Sequence, residues 1–84
     1  MLTKSEILSL PIDSPIKVIF PDDDIREGTI EEVNKELLII NDGPECEGLI
    51  FNMEDIQENG LSICSGSLFG VAETVGEKVT FEKI

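Results

Sequence analysis

The chain has 84 residues, enough for one small domain and no more. Eighteen acids against six bases leave a net charge of −12, a field that repels phosphate backbones and argues against direct nucleic-acid binding. There is no His, Tyr or Trp, so the commonest general base is missing, and the core falls to Ile, Leu and Val, which favour strands.

Thr3-Lys4-Ser5-Glu6 fits a capping box, with Thr3 as N-cap and Glu6 three positions on. Ile7, Leu8 and Leu10 follow and Pro11 stops the run, so a short helix is expected over residues 3–10, docked on the main body because alone it would not be stable. Two prolines in Pro11-Ile12-Asp13-Ser14-Pro15 make that stretch a connection. Ile16, Val18 and Phe20 then alternate with Lys17 and Ile19, a strand with one strongly apolar face, ended by Pro21.

Asp22, Asp23 and Asp24 follow, and three readings compete for them: a turn between strands, a cation site, or part of a negative surface. From Arg26 to Glu36 the pattern is mixed. Ile30 and Val33 are three apart, so strict alternation slips between them. A long strand with a bulge or bend explains this, with Gly28 marking a crowded point. A helix over Thr29 to Leu37 competes, and the strand is preferred for the strands that follow. Asn34-Lys35 reads as a tight turn and Leu37-Leu38-Ile39-Ile40 as a short run buried on both sides. Asn41-Asp42-Gly43-Pro44 is turn chemistry. Leu49 to Met53 is the next strand, Glu54-Asp55-Ile56 a single helical turn, Asn59-Gly60 a type I′ turn, and Leu61 to Cys64 a short closing strand. In the tail, Gly66, Gly70 and Gly76 interrupt the chain and Val79 to Glu82 reads as a strand, expected in a terminal hairpin or on a sheet edge.

The resulting order is that of a small barrel. "IKVIFPDDDIREGTIEEVNKELLII" resembles the first motif of Sm-like proteins, and "GLIFNMEDIQENGLSI" is similar to the closing part of the YolD-like family. The resemblance covers residues 16 to 64. It implies a mainly β fold: a five-stranded SH3-like or Sm-like barrel over residues 16–64, a short N-terminal helix, and residues 65–84 as a C-terminal extension in one domain. The loops here lack the basic or aromatic residues with which Sm-like proteins stack bases, and the chain lacks the Tyr and Trp of an SH3 peptide groove.

The acids are unevenly placed. From Asp22 to Glu58 thirteen acids stand against two bases, a net −11 in that segment alone. Cys46 and Cys64 form no CxxC motif, and Glu45 and Glu47 beside Cys46 would raise its thiol pKa, which argues against a nucleophile. Two cysteines without His do not make a zinc site. An EF-hand reading of Asp22 and Asp24 fails because Arg26 takes the fifth position and Gly28 the seventh. No motif of a phosphate-binding loop, dinucleotide fold or serine hydrolase is present. No apolar stretch reaches the length of a signal peptide or a membrane span. The expectation is a non-enzymatic cytoplasmic protein with free thiols and with no cofactor, metal, membrane or direct nucleic-acid partner, monomeric or homodimeric. It would bind a protein partner with a basic surface through Asp22, Asp23, Asp24, Glu27, Glu31, Glu32, Glu45, Glu47, Glu54 and Asp55, or through the C-terminal edge strand. The alternative is a nucleic-acid mimic, since phage-encoded inhibitors of nucleases are similar in size and charge.

Overall fold

The structure is a computed structural model and describes residues 1–21, 23–41, 43, 48–63 and 76–84. One short helix, α1 (Lys4–Leu8), precedes β1 (Pro15–Ile19), β2 (Ile25–Val33), β3 (Leu37–Asn41), β4 (Gly48–Asn52), β5 (Ser62–Ile63) and β6 (Lys78–Lys83), with a 3-10 turn, Met53–Asp55, after β4. Among the described residues all strand pairs are antiparallel, in the order β4-β3-β2-β1-β6-β5. The sheet curls into a nearly closed barrel, and its two edges, β4 and β5, are the strands that flank the 3-10 turn. The mainly β barrel read from the sequence is the fold observed.

Alternation builds the interior. Ile16, Val18 and Phe20 point in from β1 and its end, Leu38 and Ile40 from β3, Leu49 and Phe51 from β4, and Val79 and Phe81 from β6. On β2 the register slips between Ile30 and Glu32: Ile30 faces Ile40, Glu32 faces Ile39, and Glu31 is the extra residue. This bulge lets Ile30 and Val33, three apart, both turn toward the core. The strand reading therefore holds as far as Val33, where β2 ends and the turn at Asn34 begins, and the helix over Thr29 to Leu37 does not form. Gly28 is crowded as expected, since a Cβ there would run into the Asn41 carbonyl and the Ile40 side chain.

Two expectations need correction. β6 is not an edge strand; it lies between β1 and β5 and completes the barrel, so residues 78–83 belong to the barrel and not to an extension of it, and residues 65–75 of the expected terminal hairpin lie outside the described residues. The reason is packing: β5 pairs over only two residues, whereas β6 buries both Val79 and Phe81. The Asn59-Gly60 turn is also not type I′, because only Gly60 has positive φ, at 96°. The Gly60 amide donates to the Gln57 carbonyl and the Gln57 amide to the Leu61 carbonyl, both at 2.8 Å, which makes a three-residue loop closed by a left-handed glycine.

The helix starts as read. The Thr3 Oγ accepts from the Glu6 amide at 3.2 Å, and the Thr3 amide donates to the Glu6 carboxylate at 3.0 Å. The segment before it docks on the barrel: the Leu2 amide donates to the Phe81 carbonyl at 2.7 Å and the Lys4 amide to the Glu58 carbonyl at 3.2 Å. Leu2 thus takes the β6 edge beyond the two residues that β5 covers. Among the described residues no helix is long and apolar enough to cross a membrane.

Candidate functional site

The described acidic residues of the expected surface fall into three places along β2. At one end, the turn from β1 to β2 holds Asp23 and Asp24. The Phe20 carbonyl accepts from the Asp23 amide at 3.2 Å, the Phe20 amide donates to the Asp24 carbonyl at 2.9 Å, and Asp23 takes the left-handed region at φ 65°. Asp24 lies 3.6 Å from the Arg26 guanidinium, which sits 5.9 Å over the Phe20 ring. Asp23 and Asp24 therefore sit in a reverse turn, and Asp24 is partly neutralised. Midway, Glu27 is exposed on the outer face, opposite Lys17 of β1.

The other end gathers more. The turn from β2 to β3 is tied by Asn34, whose Oδ1 accepts from the amides of Glu36 and Leu37 at 2.7 and 2.9 Å and whose Nδ2 donates to the Glu32 carboxylate at 3.2 Å. Leu37 pairs with Asn52 across β3 and β4, and the Met53 amide donates to the Glu36 carbonyl at 2.8 Å. That bond sets the 3-10 turn, with Glu54 and Asp55, against the turn that carries Glu32 and Glu36. The Asn52 amide group reaches Asp55 at 3.5 Å. An open cleft of about 320 Å³ lies there, lined by Lys35, Glu36, Leu37, Asn52 and Glu54.

No family model, no curated protein and no solved structure matches the chain. What the site does must be read from its own geometry.

Of the residues predicted from sequence, Glu31, Glu32, Glu54 and Asp55 belong to this end of the barrel, and Asp23 and Asp24 belong to the opposite one. Asp22, Glu45 and Glu47 lie outside the described residues, as do Cys46 and Cys64. Among the described residues no three His, Cys, Asp or Glu side chains converge as a metal ion would require. Sequence reasoning left out Glu36 and the apolar floor at Leu37. Glu36 was visible as one more acid, but its place beside Glu54 follows from the Leu37–Asn52 register, for which no local pattern exists.

Proposed function

We infer that the chain is a non-enzymatic interaction module of the cytoplasm that holds a basic protein segment at this end of its barrel. The observation that supports the reading is the bond from the Met53 amide to the Glu36 carbonyl, which joins two acidic turns around one cleft. The apolar Leu37 beside Glu36 and Glu54 suits Lys or Arg, which lay a methylene stem on apolar surface and keep the charged head among carboxylates. Exposed ion pairs are individually worth only about 0–1 kcal/mol, so binding here depends on several acting together and weakens with salt.

Mimicry of nucleic acid receives less support. Along the outer row of β2, Thr29 separates Glu27 from Glu31, so these two carboxylates stand about 13 Å apart on an extended strand, whereas Glu31 and Glu32 adjoin at the bulge, and the spacing is not that of a regular backbone.

The test is recovery of partners from lysate at about 0.05 M and about 0.5 M salt, with the triple variant Glu32→Gln, Glu36→Gln, Glu54→Gln beside the wild type. A protein with an exposed basic segment, held at low salt and lost with the variant, is the expected result. A partner indifferent to both changes would sink the reading. Nucleic-acid-binding proteins displaced from the chain by added DNA would transfer it to mimicry.

A further inference from the structure

The outer face of β2, β1 and β6 is unlike the rest of this acidic molecule. Residues facing out form rows across the strands. One row is Ile25, Ile19 and Thr80, and the next is Glu27, Lys17 and Glu82. Ile25 is 51% exposed, a large value for an isoleucine on a sheet. Within the row Glu27, Lys17 and Glu82 and at Lys78, two lysines stand against two glutamates, and the further acids of β2, Glu31 and Glu32, lie toward its other end, in a chain whose net charge is −12. Glu82 also lies 3.9 Å from the Met1 amino group.

We propose that this face is where two copies of the chain meet, face to face, about a two-fold axis that runs parallel to the strands between β1 and β2. The face is complementary to itself. Such an axis sets Lys17 of each copy over Glu27 of the other and Ile19 over Ile25, at matching heights because these residues are already register partners within one copy. A partner with a strongly basic surface would meet no net charge here, so the face suits a second copy better. The acidic ends of the barrel stay off the contact, and at about 0.15 M salt the Debye length of about 8 Å screens them.

Size sets the strength. The outside of the barrel is convex, so contact centres on β1 and β2: two strands at about 4.8 Å spacing and five residues at about 3.3 Å rise give a patch of roughly 10 by 17 Å. That is well below the ~800 Å² per partner of standard stable complexes, so the association is weak. The contact is independent of the acidic cleft.

Sedimentation equilibrium from about 10 μM to about 1 mM protein tests it, a span chosen to bracket weak association. The wild type is expected to pass from monomer to dimer. Ile25→Lys, a change at an exposed position, should weaken association at least tenfold. Lys17→Glu should weaken it as well, and the swap Lys17→Glu with Glu27→Lys should restore it. Circular dichroism checks that each variant is folded, and Ile25→Lys carries the test if a charge variant is not. A wild type that stays monomeric throughout overturns the proposal. So does an Ile25→Lys variant that dimerises as the wild type does, or a folded double swap that fails to recover.

Discussion

The ring of Phe81 meets the ring of Phe51 edge-on, with 5.0 Å between centroids and 82° between planes. Phe81 belongs to β6 and Phe51 to β4, with β3, β2 and β1 between them in the sheet, so the contact crosses the barrel and closes its interior. Both side chains are fully buried. Phe81→Ala should cost about 3–5 kcal/mol, a large part of the roughly 4–13 kcal/mol that a domain of this length holds. Phe51→Leu, Phe81→Leu and the double variant, compared by urea unfolding, should return a coupling of about 1 kcal/mol. A coupling indistinguishable from zero would mean that the rings do not meet.

Gly60 fixes how the N-terminal segment docks. Its φ of 96° disfavours any side chain, and a Cβ there would run into the Leu2 carbonyl. Gly76 has a similar φ, 87°, but open space around it. Gly76→Ala should therefore cost only the left-handed strain of about 1–2 kcal/mol. Gly60→Ala should cost more and should also release Leu2 from Phe81. Hydrogen exchange at the Leu2 amide reads this directly: faster in Gly60→Ala and unchanged in Gly76→Ala. Equal behaviour of the two variants would show that the close approach has no consequence.

The capping box gives the helix a pH dependence. The hydrogen bond from the Thr3 amide, and then that with the Thr3 side chain, hold the Glu6 carboxyl below its ordinary value of 4.5. A carboxyl with a lowered folded-state pKa contributes stability that is fully present above the unfolded value and is lost as pH falls through the folded one. The wild type should thus exceed Glu6→Gln in melting temperature at pH 6 by a margin that shrinks below pH 4.5. Thr3→Ala should cost about 1 kcal/mol at neutral pH. A margin that stays constant from pH 6 to pH 3 would remove Glu6 from the account.

What could be read from sequence was whatever a local pattern dictates. The capping box showed in four residues, and the bulge showed in the interval of three between Ile30 and Val33. The crowding at Gly28 showed only as a glycine inside a strand; that the Asn41 carbonyl causes it depends on how β2 lies over β3. Non-local pairing was not legible. Nothing near Val79 or Phe81 says that this strand inserts between β1 and β5, since the partner Val18 is more than sixty positions away. The site divides in the same way. Its acids were plain, but their sorting to opposite ends of β2 and the pairing of Glu36 with the 3-10 turn depend on register.

Asp23 separates a turn role from a binding role for the acidic triplet. Its left-handed backbone, φ 65°, suits Gly best, Asn and Asp less well, and β-branched residues poorly. Asp23→Gly should leave stability unchanged or raise it by up to about 1 kcal/mol, because relief of left-handed strain offsets the greater freedom of the unfolded chain. Asp23→Val should lower it by about 1–2 kcal/mol. Thermal melts of the two variants decide between backbone and charge. Both remove the same carboxylate, so an electrostatic role would make them fall together, whereas a turn role makes them diverge. Partner recovery from lysate should be the same for Asp23→Gly and the wild type, since the acidic cleft lies at the far end of β2. Loss of a partner in Asp23→Gly, with stability intact, would move the binding surface to the β1–β2 turn.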